Sequence, residues 1–519
     1  MAATVLTGML LVGGCAVGPD PGPGLVTGGG HSGAEQQTSS TPPTPPLPSL
    51  AAPRTDLSWK DCAQSTTSSY GINAPRGVDI ECARLDVPID PDRPTNDTLT
   101  VALTRARTAV TPKDAAPVVL TSGTDLPSSR TLLLLAGGDG HGLIDKHPVV
   151  AIDRRGIGAS STIDCLTRTE RTALVTNGLS GRASVDQNDR IGALARNAST
   201  GADGCGETLS PYQLDYTAAL ASSDIEALRI RWGVDHLALL GVGEGSDVVL
   251  SYASRYAGRA GRIILDTPTP FGATSRDRAS ARATGVQTAI ATFVQQCGAG
   301  GSCPLGTDGV GTIGSVLDKA RAGGLAGLSD TEVLSAITTS LAVSANDAPA
   351  LTALAAAIAA ANNDNPSGLR ALVDQATGLR VSDGQIVGVC NDVDGVLGQN
   401  EIPGLIDSWS KQNPLTGADS ALSLVRCASW PTTAPINPPS ALPVSPLILD
   451  GSNDPINGGG GADAMKAVFI KASTSPTTVS WDGLGYSVAA RSACAADVVD
   501  DYLGNQPLGD PADRGCPSS

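Results

Sequence analysis

Short apolar runs, separated by stretches with helical spacing, organise this chain. APVVL (116–120), HPVVAID (147–153), LALLG (237–241), RIILD (262–266), PLILDG (446–451) and TVSWDG (478–483) have strand length and few polar interruptions. Runs of this kind belong to strands covered on both faces. TLTVALTRAR (98–107) instead alternates apolar and polar residues, as a half-buried antiparallel strand does. After LALLG, Val248, Val249, Tyr252, Ala253 and Tyr256 recur at helical spacing. In SDIEALRIRWG (223–233), Ile225, Leu228 and Trp232 share one helical face, and Asp224 is expected near the helix's positive end. Strands alternating with helices predict a mostly parallel, doubly wound α/β sheet.

Between Pro270 and Pro446 the pattern changes to Ala-rich helices, clearest in VLDKARAGGL, TEVLSAITTSLAV and ALTALAAAIAAANN. An insertion of this kind sits over the carboxyl ends of the strands, where open α/β sheets bind ligands. The expected organisation is a core in two parts, 56–270 and 446–519, with a helical cap or lid at 271–445. Residues 16–55, including TPPTPPLPSL, are rich in Gly, Pro, Ser and Thr and read as a flexible tether. Residues 1–15 run through an apolar stretch to Val12-Gly13-Gly14 ahead of Cys15, as in a lipoprotein signal whose cysteine is lipidated. No Lys or Arg precedes Cys15, so the natural start is expected upstream of Met1. With no other apolar stretch of bilayer length, the lipid would be the sole membrane contact.

Charge and cysteine content narrow the function classes. The formal net charge is −16 and no Lys/Arg-rich run occurs, which argues against nucleic-acid binding. Of eleven cysteines, setting Cys15 aside leaves ten, an even number suited to disulfides in an exported protein. Their order suggests pairs of sequence neighbours: Cys62–Cys82, Cys165–Cys205, Cys297–Cys303, Cys390–Cys427 and Cys494–Cys516. Spacing alone leaves the connectivity open. No C-x2-C pair is present and the histidines lie away from the cysteines, so neither a metal nor a cofactor is expected.

The most informative stretch is Gly241-Val242-Gly243-Glu244-Gly245, placed between a strand and a helix. That is the frame of a nucleophile elbow, G-x-S-x-G, with glycine where the serine would stand. Together with Trp59 and Cys62, ECARLDVPID (81–90), DRRGIGAS (153–160), SYASRYAGRAGRIILD (251–266), LILDGSNDP (447–455) and a cysteine-bearing tail, it resembles the secreted serine hydrolases called tripeptidyl-aminopeptidase-like (TAP-like) proteins. The resemblance implies an α/β-hydrolase fold, a Ser–Asp–His triad in that chain order and a capped pocket for peptide amino termini. Position by position, the serine falls on Gly243, the acid on Asp454, which is retained, and the histidine on Tyr486, beside Ser487. The oxyanion loop falls on Ser122-Gly123-Thr124-Asp125, where Asp125 would bring negative charge to the place an oxyanion forms.

Replacements for the lost groups are scarce. Ser246 is the nearest hydroxyl, but it is expected in the first turn of the helix. All four histidines, His31, His141, His147 and His236, precede Asp454 and read as structural or surface residues. GGDGHG (137–142) lacks the lysine of a phosphate-binding loop and reads as a plain loop. Glu244 points toward the expected pocket and could pair with Asp454 for acid/base chemistry, or be solvated or bridged to Arg154 or Arg155. Asp454 could also accept a hydrogen bond from Tyr486. The sequence therefore reads as a pseudohydrolase: an exported, lipid-anchored protein on the outer face of the cytoplasmic membrane. It would bind a peptide or lipid in the old cleft, or a cell-envelope protein partner. The alternative is an active peptidase or esterase using Glu244, Asp454 or Ser246.

Overall fold

A computed structural model describes residues 47–518, apart from 94–95, 180–185, 300, 302, 345–347, 396, 432–436 and 510–511. Cys15, the signal-like segment and most of the expected tether lie outside these residues. The strands are β1 (Lys60–Asp61), β2 (Val78–Pro88), β3 (Thr98–Thr108), β4 (Val118–Thr121), β5 (Val149–Ile152), β6 (Leu237–Val242), β7 (Ala260–Asp266), β8 (Leu447–Asn453), β9 (Thr477–Leu484) and β10 (Asp513–Cys516). They form one sheet in the order β1-β2-β3-β5-β4-β6-β7-β8-β9-β10. The β1-β2-β3-β5 pairings are antiparallel, and all pairings from β5 through β4 to β10 are parallel.

Period-two alternation sends successive residues of one strand to opposite layers. On β6, Ala238 and Leu240 join the core under the helices Ser128–Gly137 and Ala493–Leu503. Leu237 and Leu239 join the other core, with Ile225, Leu228 and Trp232 of the helix Ala218–Trp232 and Val248, Val249 and Tyr252 of the helix Gly245–Arg255. Because both faces are covered, each central strand is apolar throughout rather than alternating. β3 is bonded on both edges and its central residues 101–104 are all buried, so it is more enclosed than its polar alternation suggests.

Three boundaries differ from the sequence reading. The helix carrying Asp224 begins at Ala218, which puts Asp224 inside it; there it forms a buried ion pair with Arg155 (Nη2 to Oδ1, 2.6 Å) instead of meeting the helix dipole. The end of the expected tether is packed: Leu47 and Leu50 lie against the two cores, and the Arg54 amide bonds to the Trp232 carbonyl at 2.8 Å. The helical region above the sheet also draws on two segments. Eight described helices run from Ser275 to Ser423, and the helix Gln187–Leu209, between β5 and β6, packs its Leu194 and Ala198 with Ile402, Trp409 and Trp430.

The disulfides join Cys62–Cys82, Cys165–Cys205, Cys297–Cys303, Cys390–Cys427 and Cys494–Cys516. Five crosslinks in one chain mark folding in an oxidising compartment. No described helix is long and apolar enough to cross a membrane. Cys494–Cys516 fastens the edge strand β10 to the helix Ala493–Leu503. Replacing both cysteines with serine is expected to cost ~2–4 kcal/mol in chemical denaturation; an unchanged midpoint would show that β10 adds no stability through this link.

Candidate functional site

Parallel strands deliver their following residues to one edge. β4 leads into Ser122, β6 into Gly243, β7 into Thr267, β8 into Asp454, and β9 into Gly485 and Tyr486. The sequence candidates therefore meet at the carboxyl end of the sheet, next to a cavity of about 300 Å³ lined by Thr124, Asp125, Glu244, Asn457 and residues of the overlying helices.

The elbow turn forms as the glycine pattern requires. Gly243 has φ +57°, its amide bonds to Asp266 O at 2.9 Å, and its carbonyl receives Ser246 N at 3.1 Å. What fills the place of the missing side chain is Asp125. A β-carbon built on Gly243 would overlap Asp125 Oδ2 and Asn457 Nδ2. Three groups donate to that one carboxylate oxygen: Asn457 Nδ2 at 2.7 Å, the Glu244 amide at 3.0 Å and Tyr486 Oη at 3.1 Å. The Glu244 amide follows the nucleophile position, and in a working elbow it is the donor that would hold an oxyanion. Here it holds a carboxyl oxygen of the protein itself.

The loop carrying Asp125 is pressed onto the elbow. Gly123 has φ +59°, and a β-carbon there would lie 2.6 Å from the Glu244 carbonyl carbon. Ser122 N donates to Ser128 Oγ at 3.0 Å, while Ser122 Oγ donates to Thr131 Oγ1 at 2.7 Å. Thr124 Oγ1 donates to Glu244 Oε2. From above, Gln385 Nε2 donates to the Thr124 carbonyl at 3.0 Å.

Several expected partnerships are replaced by others. Tyr486 does not bond to Asp454; besides Asp125, its hydroxyl donates to Val242 O at 3.3 Å. Glu244 is bonded to Thr124 and adjoins Asp125, rather than pairing with Asp454 or with the arginines. Arg154 is taken by Asp392 (2.6 Å) and Arg155 by Asp224. Both arginines are buried and matched to acids on other elements, which spacing along the chain could not reveal. Ser246 is fully buried in the first turn of the helix, with Oγ donating to Gly241 O at 3.3 Å. Ser487, at φ +66°, donates to Asp266 Oδ2 at 2.7 Å, and Asp266 also accepts from the Val488 and Ala489 amides. His141 and His147 bond to backbone carbonyls of Ala136 and Ala116.

Asp454 has become a loop organiser. Its Oδ1 accepts the amides of Ile456 (2.7 Å) and Asn457 (3.2 Å), fixing the turn that aims Asn457 at Asp125. Its Oδ2 is buried without a hydrogen-bond partner, and burial pushes the carboxyl up to about 6. Asn457 and Asp266 were missed by the sequence reading. Asn457 stands three residues after Asp454 in GSNDPIN, and that proximity was the available signal.

Burial, then the Glu244 charge, pushes the Asp125 carboxyl up to about 8. Burial, then Asp125, pushes the Tyr486 phenol well above 10, so at neutral pH it is a donor and cannot serve as a base.

The comparisons with known proteins agree with this frame. Residues 413–516 match the family model described as TAP-like protein. The carboxyl-terminal part of the chain is thus similar to TAP-like proteins. The serine protease Hip1 of Mycobacterium tuberculosis (strain ATCC 25618 / H37Rv) is 25% identical over 264 residues, 50% of this chain and 48% of that protein. The same figures hold for serine protease Hip1 of Mycobacterium bovis. The chain's match thus spans about half the length of these curated relatives. Among solved structures, esterase E22 aligns with 82% of this chain and 100% of its own at 14% identity and TM-score 0.37. A thermophilic esterase from Thermogutta terrifontis aligns with 81% and 97% at 13% identity and TM-score 0.36.

A folded-state value of about 8 against 3.8 for an ordinary aspartate means that Asp125 favours folding when protonated, a contribution lost as pH rises through this range. Asp125→Asn cannot titrate. The melting temperature of the variant minus that of the wild type should therefore climb between about pH 4 and pH 8; a difference that falls or stays flat would contradict the buried position.

Proposed function

We propose that this chain is a pseudohydrolase: an exported member of its family, anchored through a lipid on Cys15, whose cleft binds without serine-dependent cleavage. The observation that carries the reading is the Asp125 carboxylate, held by three donors in the space a nucleophilic side chain at Gly243 would need. Acyl transfer by serine requires a nucleophile, a base and free oxyanion donors. Gly243 supplies no hydroxyl, Tyr486 holds its proton, and the Glu244 amide is occupied.

The cavity supports binding. It is open above the blocked elbow, and apolar side chains such as Leu334, Ile386 and Leu424 line it together with polar groups, the composition typical of ligand pockets. The lipid anchor would hold that pocket at the outer face of the cytoplasmic membrane, within reach of envelope peptides, lipids or proteins.

A fluorophosphonate probe is expected to leave the purified protein unlabelled, and amino-terminal tripeptide and short acyl ester substrates should show no turnover above buffer. Covalent labelling of any serine would contradict the reading. So would turnover that disappears in Glu244→Gln or Asp454→Asn, since that loss would assign the chemistry to this site.

A further inference from the structure

The cleft has a polarity that the blocked elbow does not explain. Its floor carries the carboxyls of Asp125 and Glu244, while five arginines, Arg154, Arg278, Arg282, Arg380 and Arg426, stand along its walls. Two of the five are matched: Arg154 with Asp392 at 2.6 Å, and Arg278 with Asp247 at 2.8 Å. Of the other three, Arg282 and Arg426 share one acid at long range. Asp419 lies 3.8 Å from Arg282 Nη1 and 4.0 Å from Arg426 Nη2. Its Oδ1 is already bonded by Asn177 Nδ2 at 2.9 Å. Among the described residues, Arg380 has no ion pair, and its one hydrogen bond runs from Nη1 to Thr338 Oγ1 at 3.3 Å.

These guanidiniums come from three separate segments: the helix Ser275–Ala299, the last residue of the helix Ser367–Arg380, and the turn after the helix Gly417–Ser423. Their backbones are fixed independently. Arg282 is oriented by Nε donating to Ile456 O at 2.9 Å, and Arg426 by Nε donating to Asn177 Oδ1 at 2.7 Å. Both bonds use Nε rather than the outer nitrogens of the fork. Burial pushes the Arg380 guanidinium down to about 10; Arg282 and Arg426 add repulsion, which attraction to Asp125 and Asp419 partly offsets. Three gathered like charges with no acid within close ion-pair distance cost stability unless an anion completes them. Arginine forks match planar or tetrahedral oxyanions through paired N–H bonds. Leu334, Ile386, Val389 and Leu424 add apolar side chains to the cavity lining.

We propose that Arg282, Arg380 and Arg426 form the head-group site for an amphiphilic organic anion, a carboxylate or phosphate joined to an apolar body, bound in the cleft away from the acidic floor. This rests on the reading that the cleft binds rather than cleaves. It adds the sign of the ligand's charge and the residues that recognise it.

The test is calorimetric titration of the full chain with octanoate, with octyl phosphate, and with octylamine and octanol as matched controls of opposite and no charge. Octanoate or octyl phosphate should bind at least tenfold more tightly than either control. Arg380→Gln and Arg426→Gln should each weaken the anion at least tenfold, while Arg255→Gln, on a surface pair with Asp92, should leave it unchanged. Octylamine or octanol binding as well as the anions would overturn the proposal, as would anion binding that survives both cleft substitutions. Inorganic phosphate binding as tightly as octyl phosphate would overturn the apolar part. The wild-type comparison among the four probes stands even if a variant fails to fold. Serine labelling by a fluorophosphonate would defeat the non-hydrolytic reading whatever octanoate does. An unlabelled protein that ignores both anions would defeat only the head-group site.

Discussion

One carboxylate oxygen, Asp125 Oδ2, holds the candidate site in its present form. An amide from the elbow, an amide from the Asp454 loop and a phenol from the tail converge on it. Three chain segments far apart in sequence are thereby tied at the carboxyl edge of the sheet. A carboxyl with this many donors would ordinarily ionise easily, but it is buried and next to Glu244, and the desolvation wins. The arrangement is held by the rigid strands beneath it and by Gln385 from above.

The consequences run outward from that contact. The Asp125 carboxyl oxygen already sits on the Glu244 amide, so the donor that would stabilise a tetrahedral intermediate is used in the resting state. Asp454 keeps its place but orients no imidazole; it shapes the turn that presents Asn457. Tyr486, large and fully buried, fills the volume above Val242 and closes the site from the tail side.

Much of the frame could be read from the chain, and the reasons are physical. Continuous apolar runs such as LALLG give buried parallel strands because both faces are covered, and the glycines of the elbow give the sharp turn because only they fit it. The placement of Gly243, Asp454 and Tyr486 at one edge follows from parallel strands ending together. Pairings across the fold were not readable. Arg154, Arg155 and Glu244 each had several acids or hydroxyls within plausible reach, and the choice among Asp392, Asp224 and Thr124 depends on packing between elements. The arginine group above the cleft was hidden for the same reason: its members are separated by 98 and 46 positions, from 282 to 380 and 380 to 426.

The measurement that bears most directly on this account compares two engineered chains for fluorophosphonate labelling. Gly243→Ser with Tyr486→His restores nucleophile and base but leaves Asp125 in the elbow; adding Asp125→Gly clears the oxygen from the new serine and frees the Glu244 amide. With circular dichroism confirming that both fold, labelling should be absent from the first and present in the second, at least tenfold faster, in keeping with the ~10²–10³ that one oxyanion donor is worth. Equal labelling of the two would show that Asp125 does not block the site.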